Sequence, residues 1–355
     1  MDVDQDVPKS GAGNPSATTR RRLVGVGAGL LGWATALQVA EVSTASAQQA
    51  PAGSVSDEIV VTLLGTGSPV PVPDRFGPAT LVEAGGRRLL FDAGRGAPIR
   101  LAQAKVRLGS VNAVFITHYH SDHVSGLPDL WLSGFLIAPF GGRPKPMRLW
   151  GPTGITRLAD NMVTTFGDDI RIRMAEAPIA TPATRIEAYE FSDGGVVFDE
   201  DGLRVTSFEV DHGPMAKPAF GYRVDYAGRS VLISGDTRYN DNVILHGRNV
   251  DLLIHEVCAM PDGLKSKPFA QDIIALHTSP EEAGRVFSLT KPRMAAYTHV
   301  VSLGTPDIAP LSSKDIETQT RKTFDGPLVV GEDLTRFRIG DSIAVLRWAP
   351  VRQGY

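Results

Sequence analysis

Three histidines and one aspartate fall within six residues in Thr117-His118-Tyr119-His120-Ser121-Asp122-His123, directly after an apolar run from Val111. The spacing is H-x-H-x-D-H. From a loop leaving a strand, His118 and His120 can turn toward one cation while Asp122 and His123 point onward to a second. Imidazole and carboxylate suit Zn²⁺, with Mn²⁺ or Fe²⁺ as substitutes. Two cations need more ligands than this loop supplies. His212, Asp236 and His299 each come just after a β-rich run, the runs ending at Val210, Ile233 and Thr298. Loops leaving one edge of a sheet can converge on a point, and a carboxylate such as Asp236 can bridge two cations. What this predicts is a two-metal centre. The single cysteine, Cys258, excludes both an internal disulfide and a Cys₄ zinc site.

Positioning seven ligands requires a sizeable sheet framework, and the chain has the material for one. It runs to 355 residues, 42% hydrophobic and 21% charged, which is ordinary globular composition. Strands are predicted over 59–64, 79–84, 88–91, 111–117, 203–210, 220–226, 230–233, 250–254 and 293–298. Gly85-Gly86 reads as a hairpin turn. Helices are predicted over 98–108, with Pro98 in its first turn, and from the Ser279-Pro280-Glu281-Glu282 capping box to about Leu289. Segment 178–202 reads as a variable loop. The apolar residues Trp131, Leu132, Phe135, Leu136, Phe140, Trp150 and Phe166 are candidates for a substrate-pocket wall. One domain with two sheets and outer helices is expected over 48–355.

Residues 1–47 read differently. Thr19-Arg20-Arg21-Arg22 precedes a weakly apolar run from Leu23 to Ala40, and Ala45-Ser46-Ala47 has the small-residue pattern of a cleavage site. The paired arginines resemble the twin-arginine export signal. Export to the periplasm or the medium is the expectation, with residues 1–47 removed and no lasting membrane span.

The chain resembles the metallo-β-lactamase fold superfamily, and within it the ribonuclease Z and arylsulfatase-like branch. The resemblance rests on Leu64-Gly65-Thr66-Gly67-Ser68-Pro69, Phe91-Asp92-Ala93-Gly94-Arg95-Gly96, the His118–His123 motif, Asp211-His212 with Gly221-Tyr222-Arg223, Ser234-Gly235-Asp236-Thr237, His255-Glu256, His277-Thr278-Ser279 and Thr298-His299. It implies an α/β protein, the four-layer αββα sandwich. It further implies two zinc ions, the first on His118, His120 and His212 and the second on Asp122, His123 and His299. Asp236 would bridge them, with a water or hydroxide between. Two dications, two carboxylates and one hydroxide leave a net charge of about +1, which favours an anionic or polarised ester. Asp122 would also orient the attacking water. His277 would stand as the acid beside the leaving oxygen, with Glu256 holding it charged. Asp92 would support the metal loop from behind.

Substrate class is read from departures. Ribonuclease Z typically carries a Cys-Gly-Glu-Gly-type stretch where this chain has Ala93-Gly94-Arg95-Gly96. No basic, Gly/Pro-rich arm is evident, and the formal net charge of −3 gives no footprint for nucleic acid. The expectation is therefore an exported hydrolase of small ester-like substrates, aryl sulfates first and phosphate esters next. Its expected partners are a small molecule and a second copy of the chain, with no nucleic acid. The alternatives are a lactonase, a β-lactamase, a hydrolytic dehalogenase, a ribonuclease Z-like phosphodiesterase and a non-catalytic metal-binding protein.

Overall fold

The computed structural model describes residues 56–348, Phe140 excepted; the export signal read over 1–47 lies outside them. Among the described residues the strands are β1 (Ile59–Gly65), β2 (Ala79–Ala84), β3 (Arg87–Phe91), β4 (Ala113–Phe115), β5 (Met147–Pro152), β6 (Ile186–Phe191), β7 (Gly195–Glu200), β8 (Leu203–Val210), β9 (Ala219–Tyr226), β10 (Arg229–Ile233), β11 (Leu252–Cys258), β12 (Met294–Val301), β13 (Leu328–Val330), β14 (Thr335–Ile339) and β15 (Ile343–Leu346). The helices are α1 (Ala97–Gln103), α2 (Ser121–Val124), α3 (Leu127–Gly134), α4 (Ile155–Thr165), α5 (Gly167–Glu176), α6 (Asp241–Gly247), α7 (Asp262–Lys265), α8 (Pro268–Ile274), α9 (Pro280–Thr290) and α10 (Ser313–Thr320).

The strands form two sheets. One runs β15-β14-β1-β2-β3-β4-β5-β6 and the other β13-β12-β11-β10-β9-β8-β7. Alternation explains how they meet. Ile59, Val61 and Leu63 of β1 face Val205, Tyr222, Val224 and Val231 of the second sheet in one buried cluster. The opposite face of the first sheet carries Leu64, Leu81, Leu90 and Leu149 against α1, α3 and α4. The opposite face of the second carries Leu232, Leu253 and Tyr297 against α6, α9 and α10. Both sheets are thus covered on both faces, giving the expected αββα sandwich.

Between the sheets, Phe91, Phe115, Trp150 and Tyr189 stack in series across β3 to β6, with centroids 5.0, 5.2 and 4.3 Å apart. Tyr222 of β9 donates its hydroxyl hydrogen to the Ile116 carbonyl at 2.6 Å, which ties the second sheet to the chain just ahead of His118.

Several sequence expectations shift. The helix expected over 98–108 ends at Gln103. Lys105 turns left-handed at φ 59°, and Val106 drops into the core cluster below. Segment 178–202 is not a loop: it supplies β6 and β7, the edge strands of the two sheets. Their half-exposed faces hide the apolar alternation that marks a buried strand. Trp131, Phe135 and Trp150 are all buried in the core.

Asp333 locks the loop after β1. It accepts from the Thr66 and Phe76 amides at 2.9 and 2.8 Å and pairs with Arg100 at 2.9 Å, almost fully buried. Asp333→Ala leaves that guanidinium and those amides unpaired. The expected cost is about 3–5 kcal/mol, read as a lower denaturation midpoint at unchanged slope.

Candidate metal centre

The site is built where strands end along one edge. β4 runs out at Phe115 and leads into His118 and His120. The four-residue α2 then presents Asp122 and His123. β8 leads to His212 and β10 to Asp236. His299 differs from the sequence expectation because it lies inside β12. There Tyr297 pairs with His255 and Val300 with Val257, so Thr298 and His299 together oppose Glu256. This β-bulge, with His299 at φ 42°, turns the side chain toward the other ligands. Glu256 likewise lies within β11 rather than past its end.

Two sets of donor atoms converge. His118 Nε2 is 3.0 Å from His120 Nδ1, which is 3.1 Å from His212 Nε2. His123 Nε2 and His299 Nε2 stand 3.2 and 3.1 Å from Asp236 Oδ2 and 3.6 and 3.2 Å from Asp122 Oδ2. Asp236 Oδ2 also lies 3.9 and 3.7 Å from Nε2 of His118 and His212, so one oxygen faces both sets. Ligands ~2.0–2.2 Å from a tetrahedral zinc stand roughly 3.3–3.6 Å from one another, close to these spacings.

The other ring nitrogens are held from behind. Asp92 Oδ2 accepts from His123 Nδ1 at 2.8 Å, while its Oδ1 accepts from the Thr117 amide at 2.8 Å. The Thr117 hydroxyl donates to Asp92 at 2.9 Å and accepts from His118 Nδ1 at 3.0 Å. His212 Nδ1 donates to the Leu276 carbonyl at 3.0 Å. These bonds place the protons on Nδ1 of His118 and His212 and leave their Nε2 bare, while His123 Nδ1 faces Asp92 and its Nε2 lies 3.2 Å from Asp236. The bare Nε2 atoms of His118 and His212 both face His120 Nδ1, at 3.0 and 3.1 Å; one proton there could serve only one of them, whereas a cation would satisfy all three nitrogens. The residues present therefore fit a divalent metal site.

Electrostatics agree. Burial holds His118 well below the usual imidazole range, and it also lowers His120 and His212; neutral imidazole is the ligand form. Burial would also lower His123, but the Asp236 and Asp92 carboxylates raise it well above. Burial would raise Asp236, yet His299 and His123 hold it well below the carboxylate range. That mutual charging around Asp236 is what a bound dication replaces.

His277 stands beside both sets, its ring 4.9 Å from His212 and 5.5 Å from His299. Its Nδ1 is 3.2 Å from Glu256 Oε1, a charge pair poorly aligned as a hydrogen bond. Burial would lower the His277 imidazole, and Glu256 more than offsets this, pushing it up to about 9. Glu256 Oε1 is itself fixed by the Thr278 amide at 2.9 Å. At the mouth, the Met215–Pro218 loop and Tyr119 flank His118 and His120, and Met215 is 92% exposed.

The supporting contacts of Thr117, the Leu276 carbonyl and the Met215–Pro218 loop carry no sequence motif and were not foreseen. Asp92→Ala removes the acceptor that orients His123. The expected result is metal affinity weakened about 10–100-fold with the fold retained, measured by competition with a chromogenic chelator.

Comparison with known proteins is consistent with this geometry. Residues 87–300 match the family described as beta-lactamase superfamily domain. The ribonuclease Z of Mycobacterium marinum is 35% identical over 283 residues, 79% of this chain and 99% of that protein. The ribonuclease Z of Mycobacterium sp. strain KMS is 34% identical over 289 residues, 81% and 98% of the two chains. The metallo-β-lactamase fold protein YhfI from Bacillus subtilis superposes with a TM-score of 0.61 at 19% identity, covering 80% of this chain and all of that one. The human short-form tRNase Z gives 0.58 at 24% identity, over 78% and 98%.

Two expectations are corrected. Aryl sulfate esters as first substrate, and the exclusion of nucleic acid, rested on Arg95, the acidic balance and the missing basic arm. Relatives that match over nearly their whole length are named ribonuclease Z, so those features do not separate this chain from them. Whole-chain net charge is a weak guide here, because bound dications would bring their own positive charge to the site. The chain belongs to the β-lactamase superfamily as a metal-dependent hydrolase of the metallo-β-lactamase fold, among relatives that are ribonucleases Z.

Proposed function

We propose that this protein is a binuclear phosphodiesterase that cleaves RNA. The observation that carries the reading is the pair of donor sets sharing Asp236 Oδ2, in a chain 34–35% identical to ribonucleases Z across 98–99% of their length. His118, His120 and His212 would hold one cation and Asp122, His123 and His299 a second, with Asp236 available to both. Zinc suits this mixture of imidazole and carboxylate. Bound dications would supply hydroxide at neutral pH and clamp the phosphoryl oxygens.

The remaining steps belong to side chains. Asp122 orients the attacking water. His277, kept charged by Glu256, gives its proton to the departing oxygen. Lys217, on the loop beside His120, offers a cation to an adjacent phosphate. Residues 1–47 we propose to be a twin-arginine signal, so that the domain 48–355 meets RNA outside the cytoplasm. Among the described residues no helix is long and apolar enough to cross a membrane.

The test is the zinc-loaded protein on precursor tRNA with a 3′ trailer, on unstructured single-stranded RNA, and on the matching DNA. Cleavage of either RNA, abolished by chelator and restored by zinc, is the expected result. Two bound zinc ions without cleavage of any RNA would remove the reading. Replacement of Arg20 and Arg21 by lysine should keep the protein in the cytoplasmic fraction.

A further inference from the structure

Behind His277 lies a cavity of about 480 Å³, within the ~300–1,000 Å³ range of small-ligand sites. Of its lining residues, His277 is the one the site uses, its ring 4.9 Å from that of His212 and 5.5 Å from that of His299. Its ring therefore stands between the cavity and the donor sets, with only 10% of its side chain exposed.

The lining states what fits. Cys258 and Met260, both buried, put two polarisable sulfurs on the floor, and sulfur packs well on flat π systems. Burial pushes the Cys258 thiol up to about 12, so it is a neutral surface and no nucleophile. Ile274 adds an apolar wall. Gln271 and Gln319 bring two amides, each able to donate and accept. The charges cancel: Lys265 pairs with Asp262 at 2.7 Å, and Glu281 pairs with Lys322 at 2.5 Å. Apart from His277 at its edge, which faces Glu256, the lining offers a phosphate no unpaired charge. A neutral, flat ring with hydrogen-bonding edges finds both surfaces that it needs.

We propose that this cavity takes the nucleobase on the leaving-oxygen side of the scissile phosphate. The inference rests on the RNA-cleaving reading above and on the place of His277. In hydrolysis, a water-derived oxygen bonds to phosphorus and the bond from phosphorus to the departing ribose oxygen breaks. That oxygen keeps the electron pair and takes the proton from His277. The departing nucleoside is thus next to His277, and the cavity is the enclosed space on that side. The cavity sets which nucleotide stands on the leaving side of the cut; the metals do not.

The experiment uses the zinc-loaded protein and a short single-stranded RNA of defined sequence. Two versions carry an abasic ribose, one on the leaving-oxygen side of the cut and one on the other side. Product ends, 5′-phosphate or 3′-phosphate, identify the leaving side. Removing the leaving-side base should lower kcat/KM about 10- to 100-fold, the usual worth of one bound base; removing the other should change it less than threefold. Ala275→Trp, at the exposed rim, should slow the intact RNA by a similar factor and the leaving-side abasic RNA less than twofold, with zinc content unchanged. Gln271→Ala should show the same pattern more weakly, and it serves if the tryptophan variant misfolds. RNA cleavage indifferent to the leaving-side base, or variants that slow both RNAs equally, would overturn the subsite and leave the nuclease reading standing. Failure to cleave any RNA would overturn both.

Discussion

Replacing Asp236 by alanine is expected to lower phosphodiesterase activity by at least about 10³-fold, roughly 4 kcal/mol at ~1.36 kcal/mol per decade, and to reduce bound zinc from two ions per chain to one or none. One oxygen of this carboxylate lies within 3.9 Å of four imidazole nitrogens, two from each donor set. No neighbouring group can stand in for it, because Asp122 faces only His123 and His299. The fold should survive. Asp236 lies after β10, outside the core clusters, and loses contacts only to other ligands. Elemental analysis and far-UV circular dichroism on one preparation separate the two effects. Two zinc ions per chain with activity within tenfold of the parent would overturn the bridging role proposed for Asp236.

What the sequence made legible follows the way the site is assembled. His118 to His123 could be read as a candidate site because the donor residues are contiguous, and a run of three histidines and an aspartate has few other uses. His212 and Asp236 could be read because β8 and β10 end in clear apolar runs just ahead of them. His299 was reached, but its setting was not: the bulge opposite Glu256 is a property of two strands paired at a register shift, and neither strand shows it alone. Asp333 is the same case on a larger scale. It sits 267 residues from Thr66 in sequence and bonds its amide, and nothing local marks an aspartate for that task. β6 and β7 were missed because edge strands keep polar residues on an exposed face. Substrate class fared worst. A four-residue difference at Ala93 to Gly96 and the whole-chain charge were weighed above the motifs. Yet Arg95 is an exposed side chain bonded to the Pro69 carbonyl, and Gly94 shows what that stretch is for. A Cβ there would come within 2.4 Å of the Asp122 carbonyl, so the stretch lets the metal loop pack closely and says little about what is cleaved.

His277 separates metal chemistry from proton transfer, and its removal should show the two apart. His277→Ala is expected to reduce kcat on RNA about 10²–10⁴-fold, the usual range for a positioned acid, while zinc stays at two per chain. His118, His120 and His212 complete one donor set without it, and Asp122, His123 and His299 complete the other. The loss should depend on the leaving group. A ribose alkoxide is a poor leaving group and needs a proton; 4-nitrophenolate departs without one. On a 4-nitrophenyl phosphodiester the same variant should stay within about tenfold of the parent. Glu256→Gln should reproduce the pattern at reduced size, because the amide keeps its carbonyl toward the Thr278 N–H but loses the charge that raises the imidazole. A merely structural role for either residue would slow both substrates alike. If the activated diester and RNA fall by the same factor, His277 is no proton donor, and the departing oxygen must be served by a metal ion alone.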